Sequence, residues 1–375
     1  MKSKNLKVLF YEEKALRVLI IKLSAFGDII HSLPLIECFK EYSKAYNKKV
    51  ELHWVIEKQW SPLISGNPAI NQVITVSTKE WRHSLTKIRT WREISKFLRK
   101  LRKQRYDLIL DINCLIRSAV IARMARGVSR IGFSKESRIC REKHSVLLLD
   151  KTFSVPNVNV VDQILTLVEK SLCLKIQRPV FPYLPVNPVA SEKADKILYE
   201  KNLKSADFAI ITAGGGWQTK LLDERLIADF YKCVESFGVI PVLSWSGENE
   251  KKRVGRIQKF IKNGAKDIGD LPIDVFIEIL RKSRLVIGPD TGTVHAASAV
   301  NTPTVSYYGP SSSKYSGPMR ERDHLVQISP HCGPCFKRRC EKKLCNHLTN
   351  DRILEAIRRE LSSLPDFVRH DPNKI

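Results

Sequence analysis

The feature that most constrains this chain is a rhythm that occurs twice along it. Short, β-rich apolar runs are each followed by a polar turn and then by apolar residues at helical spacing. In the first half the runs are Val18 to Leu23, Val50 to Ile56, Gln72 to Ser77 and Asp107 to Ile112. In the second half they are Phe208 to Ala213, Val239 to Trp245, Leu285 to Ile287 and Thr304 to Tyr308. Strands that alternate with helices form parallel sheets covered on both faces, so the pattern predicts two doubly wound, Rossmann-like α/β domains. A chain of 375 residues with 43% hydrophobic content is long enough to bury two cores. The stretch Gln177 to Pro188, with Pro179, Pro182, Pro185 and Pro188, reads as the linker. The expected domains are therefore residues 1–180 and 181–348, followed by a closing segment, 349–375. In that segment Ile353, Leu354, Ile357 and Leu361 share one face of a helix over Asp351 to Ser363. Ligands of such folds bind outside the carboxyl ends of the strands, so the cleft between two facing domains is the expected active site.

Two loops in this pattern carry chemistry. Ile287-Gly-Pro-Asp-Thr-Gly-Thr-Val-His295 leaves a strand through a tight turn and enters a helix over Thr293 to Val300. The first N–H groups of that helix have no partner within it, and together with the helix dipole they favour an anion. Gly292 lets the backbone approach a phosphate, Thr291 and Thr293 offer hydroxyls, and His295 lies one turn on. The alternative reading is an ordinary helix cap made by Asp290 or Thr291. The second loop is Lys22-Leu-Ser-Ala-Phe-Gly-Asp28-Ile-Ile-His31-Ser-Leu-Pro34, after the first strand. Gly27 allows the turn, and Asp28 opens a helix whose amide dipoles stabilise its carboxylate. A carboxylate at the mouth of a cleft suits a general base. Asp28 would also serve as a cap, but Lys22 and His31 add more polar groups than a cap requires.

A formal net charge of +25 calls for an anionic partner or surface. The densest block, Lys87 to Arg105, holds nine Lys or Arg against Glu93 alone. Trp91, Ile94, Phe97, Leu98 and Leu101 recur within it at helical spacing, giving an amphipathic helix with a cationic face that suits an anionic bilayer or simply faces water. Val18 to Phe39 is interrupted by Lys22, Asp28, His31 and Glu37, so it is no membrane span. The first 17 residues hold no apolar signal core, and a cytoplasmic location is expected.

In this order, Lys22 to Pro34, the Gly-rich Ala213 to Lys220, the Trp245 to Glu250 loop and Asp290-Thr-Gly-Thr-Val-His295 resemble glycosyltransferase family 9. Its best-known members are the bacterial heptosyltransferases of the lipopolysaccharide inner core. The resemblance runs from about Arg17 to the helix near Asp351. It implies a GT-B fold, an inverting reaction with no cofactor for catalysis, ADP-heptose as donor, and a cytoplasmic enzyme peripheral on the inner membrane. By the same resemblance Asp28 is the catalytic base. Lys220 contacts phosphate, Thr291, Gly292 and His295 form the diphosphate turn, Glu250 binds the ribose hydroxyls, and Asp290 holds the donor sugar. The acceptor would be an anionic glycolipid of the Kdo–lipid A type at the inner-leaflet surface. Lys22, His31, Trp81, Arg82, Arg117 and Arg138 are the candidate acceptor residues, with Arg141 as an alternative to Arg138. The closing helix would pack back on the first domain. One departure stands out: Ala213-Gly-Gly-Gly-Trp217-Gln-Thr-Lys220 replaces a Thr-rich segment, which leaves Thr219 as the candidate hydroxyl contact. Another donor sugar or acceptor, including transfer onto protein, therefore stays open.

Nine cysteines complete the reading. Cys38, Cys114, Cys140, Cys173 and Cys233 are scattered and read as small buried side chains. Cys332, Cys335, Cys340 and Cys345 follow the spacing C-x2-C-x4-C-x4-C, which can wrap one structural zinc or iron ion or stand as reduced thiols. Four thiolates would leave no open coordination position for catalysis. The cluster also resembles a zinc knuckle, and a basic chain could use one on nucleic acid. A knuckle needs neither two α/β domains nor paired Asp28 and Asp290 loops, so no nucleic-acid partner is expected.

Overall fold

The structure, a computed structural model, describes residues 15–261, 264–342, 344–346 and 351–363. The chain divides into two units, one ending at Pro185 and the other beginning at Val186. The boundary falls inside the proline-rich stretch expected to link the domains, a few residues beyond the expected 180.

The first unit runs β1 (Ala15–Ile21), α1 (Phe26–Ile30), α2 (Leu35–Tyr46), β2 (Lys49–Glu57), β3 (Gln72–Val76), α3 (Thr78–His83), α4 (Ile88–Arg102), β4 (Tyr106–Asp111), α5 (Ile116–Met124), β5 (Gly127–Phe133), β6 (Lys151–Phe153) and α6 (Val160–Leu172). Its strands form one parallel sheet in the order β3-β2-β1-β4-β5-β6. The last four residues of β1, Val18 to Ile21, are all buried, as a central strand covered by helices on both faces requires. Around them Val55, Ile74, Ile109, Phe97 and Leu101 close one side of the core. α6 begins where the Asn159 side chain accepts the Val161 N–H and ends at Cys173 in the left-handed region.

The second unit runs α7 (Pro188–Glu200), β7 (Phe208–Thr212), α8 (Glu224–Glu235), β8 (Ile240–Trp245), α9 (Gly247–Gln258), β9 (Lys266–Gly269), α10 (Ile273–Lys282), β10 (Leu285–Pro289), α11 (Gly292–Ala299), β11 (Thr304–Tyr308), α12 (Ser313–Ser316), β12 (Asp323–Gln327) and α13 (Asp351–Ser363). The parallel sheet order is β12-β11-β10-β7-β8-β9. Counted from its own first strand this is the same doubly wound topology as the first unit, so the expected pair of Rossmann-like folds is present. In each sheet the strand order reverses at one place, between β1 and β4 and between β7 and β10. Loops leaving such a pair of strands diverge to opposite faces and open a crevice between them.

The strand count differs from expectation. β5, β6, β9 and β12 were not anticipated. All but β5 are short outer strands, and the polar or exposed residues Lys151, Lys266 and His324 break the apolar run that marks a central strand. The closing segment is described over α13, whose apolar face is covered by the second unit itself. Its Ile353, Ile357 and Leu361 are buried in the second unit's core with Phe230, Val234, Tyr307 and Val326. Arg322 and His324 of the same unit reach its buried Glu360, with His324 Nε2 at 2.7 Å. The apolar stripe correctly signalled burial, but a stripe does not specify which core receives it.

Candidate active site

At the β1/β4 reversal the chain leaving β1 carries Lys22 and, in α1, Asp28, and the chain leaving β4 carries Asn113, Cys114 and, in α5, Arg117. The two are stitched together: Leu23 N–H donates to Asn113 Oδ1 at 3.1 Å and Lys22 Nζ to the Ile112 carbonyl at 3.3 Å. Asp28 lies in the first turn of α1 and accepts the Ala25 N–H at 3.3 Å, which is the backward half of a capping box. Its side chain is still 29% exposed and sits 3.6 Å from Arg141 Nη2. Burial acts to raise its pKa, but the charges of Lys22, Arg141 and His31 and the Ala25 N–H outweigh it and hold the carboxyl below the usual aspartate value. Asp28 is thus an ionised carboxylate inside a cationic loop. Lys22 and His31 are both buried beside it.

The arginine expected after the fourth strand is also present. Arg117 donates to Ser24 Oγ at 3.2 Å and to Thr78 Oγ1 at 3.1 Å, and it lies 3.8 Å from Glu57 Oε1. Glu57, which the sequence reading missed, is buried at the end of β2 and takes both the N–H and the hydroxyl of Thr78. One carboxylate therefore joins the loops after β1, β2, β3 and β4 through Thr78 and Arg117. Its only sequence signal was a charge ending an apolar strand. Asp111, at the end of β4, is 1% exposed. Burial pushes its pKa up to about 6 despite donors from Asn113, Ser118 and Cys114.

The other acceptor candidates lie on α3 and in the loop after β5. Trp81 donates its indole N–H to Glu93 Oε2 at 3.2 Å and meets Phe97 edge-on, so it anchors α3 to α4. Arg82 and Arg138 are exposed, and Arg141 rather than Arg138 pairs with Asp28.

At the β7/β10 reversal, residues 213–216 follow β7 and Asp290 follows β10. Lys220 Nζ donates to Asp290 Oδ2 at 2.7 Å and to its carbonyl at 2.6 Å. Asp290 Oδ1 takes His295 Nε2 at 3.0 Å and the Ser316 hydroxyl at 3.2 Å. Burial would raise the Asp290 pKa, yet the His295 hydrogen bond and the Lys220 charge hold it far below the usual range. This carboxylate is committed to its partners and caps no helix. Thr291 stands at the N-cap of α11 without a side-chain capping bond, and its buried hydroxyl has no hydrogen-bond partner among the described residues. The capping alternative for this turn is therefore not met, and the first N–H groups of α11 lack a side-chain acceptor there.

The glycine run meets this turn closely. A Cβ on Gly215 would lie 3.2 Å from Thr291 Cγ2, and one on Gly214 only 2.0 Å from Glu250 Cδ. Glu250 itself accepts the Ser246 N–H at 2.8 Å and a Gly215 N–H, and burial raises its pKa. Arg253, another residue without a sequence motif, braces the run by donating from Nε to the Ala213 carbonyl at 2.8 Å. Lys220 also lies 4.4 Å from the Trp217 ring centre, with Arg338 over the same ring. Thr219 is buried and donates to the Lys337 carbonyl at 2.7 Å, tying the run to the Cys-rich loop.

In that loop Cys345 is buried against Gly309, while Cys332 is exposed. Burial, and then the neighbouring Cys335, Cys332 and Cys340, raise the Cys345 pKa, so the four sulfurs share one neighbourhood. Among the described residues, however, no three His, Cys, Asp or Glu side chains gather as an ion would require. The donor set itself, four thiols, is of the kind that zinc or iron takes.

Comparisons with known proteins bear on the family and the fold. A family profile, glycosyltransferase family 9 (heptosyltransferase), matches residues 94–345. The chain is 26% identical over 366 residues to lipopolysaccharide heptosyltransferase 1 of Pseudomonas aeruginosa, covering 96% of each. Among solved structures, the E. coli heptosyltransferase WaaC with ADP superposes with a TM-score of 0.73 at 20% identity, covering 92% of this chain and all of that one. The same E. coli protein with ADP-2-deoxy-2-fluoro heptose gives 0.66 at 21% identity, covering 83% and 93%.

Proposed function

We propose a reaction from one premise: this chain belongs to glycosyltransferase family 9. It moves heptose from ADP-heptose to the Kdo region of an anionic inner-core glycolipid, with inversion at the anomeric carbon. The observation that carries this reading is Asp28, kept ionised at the β1/β4 reversal within a ring of cations. Relatives named as lipopolysaccharide heptosyltransferases, and an E. coli heptosyltransferase seen with an ADP-heptose analogue, support the donor and the acceptor class.

The chemistry follows from the charges. The acceptor hydroxyl attacks the anomeric carbon and its proton passes to an Asp28 oxygen as the bond to ADP breaks. The electron pair of that bond leaves on the diphosphate. Groups that favour the leaving diphosphate over the bound donor lower the barrier. In the second unit those groups are the first N–H groups of α11, the backbone of Gly214 to Gly216, the Thr291 hydroxyl and the Lys220 ammonium. Asp290, itself held by His295, fixes Lys220 and orients sugar hydroxyls; Glu250 faces the ribose. Lys22, His31, Arg117 and Arg141 meet the acceptor's carboxylates and phosphates. Such an acceptor makes the enzyme a cytoplasmic protein peripheral on the inner membrane; among the described residues no helix is long and apolar enough to cross one.

One observation favours a second reading. Thr219 is engaged by Lys337 and a glycine run stands where hydroxyls were expected, so the contacts near the phosphates are backbone contacts. A family 9 transferase with another donor sugar, or with a protein acceptor, fits that change. The deciding experiment measures transfer from ADP-heptose to a Kdo–lipid A acceptor by the parent and Asp28→Ala proteins, corrected for donor hydrolysis. Transfer by the parent alone supports the proposal. Donor binding without transfer moves the acceptor, and absence of ADP-heptose binding discards heptose. A structural zinc or iron ion at Cys332, Cys335, Cys340 and Cys345 is proposed on the donor set alone. Metal analysis finding about one ion per chain supports it, and metal-free protein with full activity overturns it.

A further inference from the structure

α4 has two faces of opposite character. Phe97 and Leu101 are buried in the core of the first unit, and the Thr90 hydroxyl donates to the Ser84 carbonyl at 2.7 Å. On the outer side Ile88 is 73% exposed, Trp91 58%, and Leu85 in the preceding turn 49%. Single exposed apolar side chains are ordinary on any protein, but these three lie together. They continue into a groove of about 470 Å³ lined by Trp91, Ile94, Ser95, Leu98, Arg99 and Arg102. The Trp91 indole N–H donates to the Leu85 carbonyl at 2.8 Å, which holds its ring across the start of the helix.

Charge selects what this patch can meet. At 100° per residue, Arg92, Arg99 and Arg102 fall on the same side of α4 as Ile88 and Trp91. Glu93, the acid of the segment, turns the other way and is engaged by Trp81 and Arg89. A second copy of this chain would bring the same cations and be repelled. We propose that this face is a docking surface for an anionic phospholipid bilayer. Leu85, Ile88 and Trp91 enter the boundary between headgroups and acyl chains, and Arg92, Arg99 and Arg102 meet headgroup phosphates.

The topology gives the surface a use. The parallel β3 delivers the chain to the sheet end that carries Ser24, Asp28, Thr78 and Arg117, and α4 runs back from that end toward the start of β4. The first turn of α4, with Ile88 and Trp91, therefore lies at the same end of the sheet as the candidate base. Docking there brings the base loop to the surface where a lipid-borne acceptor is embedded, and for this purpose the inference rests on the glycolipid reading above.

The test needs no sugar donor. Full-length protein is floated with vesicles of phosphatidylcholine alone or of phosphatidylcholine with phosphatidylglycerol, at low and high salt. Binding is expected to the mixed vesicles only and to weaken with salt. Ile88→Glu/Trp91→Glu should abolish it. Arg92→Gln/Arg99→Gln should weaken it about thirty-fold, at ~1 kcal/mol for each cation near the surface. Both variants change exposed side chains, so their melting temperatures and ADP binding should match the parent's. Full binding by either variant overturns the proposal. So do absence of parent binding, self-association that the Glu variant abolishes, or single-stranded RNA that competes through this face and binds more tightly than the vesicles. Vesicle binding without heptosyl transfer would leave this inference standing and sink the reaction, and transfer without vesicle binding would do the reverse.

Discussion

Replacing Lys220 with Met removes the cation from a largely buried ion pair of the second unit while keeping most of its volume. The Lys220 ammonium makes two hydrogen bonds to Asp290, and the two side chains are 12% and 8% exposed. Removing one partner of a buried pair costs ~3–5 kcal/mol because a charge stays buried without compensation. Asp290 keeps His295 and Ser316, so the lower end, ~3 kcal/mol, is expected. For a unit the size of Val186–Ile375 that is a fall in melting temperature of roughly 6–12 °C. The pH dependence adds a second signature. The folded-state pKa of Asp290 is depressed, so the stability it contributes is complete above its unfolded value of about 3.9 and is lost as pH falls through the folded value. Without Lys220 the folded value rises, so the deficit of the variant should be largest at neutral pH and shrink below about pH 4. Calorimetry of unliganded protein across this range, with Asp290→Asn and the double variant completing a cycle, reads both effects. A Lys220→Met melting temperature within about 1 °C of the parent's at pH 7 would refute the reasoning.

Asp28→Asn should reduce transfer by about 10²–10⁴-fold while ADP binding, followed by calorimetry, stays unchanged; parallel loss of both would remove Asp28 from the base position. Because the base must be ionised, activity falls as pH drops through its pKa, and the acid limb of kcat/KM should lie below the ordinary aspartate range. Arg141→Gln should move that limb upward, and an unmoved limb would mean that Arg141 does not act on Asp28. In Gly214→Ala the new methyl occupies the Glu250 carboxylate position. If Glu250 binds the ribose, ADP affinity should fall about ten- to hundred-fold, at ~1.5–3 kcal/mol for a charged hydrogen bond, whereas parent-like affinity would argue against that role. Asp111 behaves oppositely to Asp290: its folded pKa is raised to about 6, so its contribution is present below the unfolded value and lost as pH rises through 6. Asp111→Asn should therefore lose less melting temperature than the parent between about pH 5 and 7.5, and equal losses would count against the raised value.

Much of the site was legible because its residues sit in short local patterns. Asp290 to His295 and Lys22 to Pro34 each leave a strand and enter a helix, so chemistry and position are read from one stretch of chain. Glu57 and Arg253 carry no such pattern. Each acts by joining loops distant in sequence, Glu57 through Thr78 to Arg117 and Arg253 to the Ala213 carbonyl. Thr219 shows the same limit: the hydroxyl beside the glycine run donates to Lys337, more than a hundred positions along the chain. Arg138 and Arg141 were indistinguishable as charges, and only the path of the chain after β5 brings Arg141 to Asp28.

The sequence by itself determined the repeated strand and helix alternation, and with it two parallel sheets and the chemistry of the loops at their ends. That much is local, because hydrophobic period and turn residues act within a dozen positions. Tertiary structure decided which outer strands complete each sheet, which core receives α13, and which polar side chains are committed to partners. Those outcomes depend on burial and on hydrogen-bond partners far away in the chain. A buried stripe or a hydroxyl specifies that it must be satisfied, and the fold decides by what.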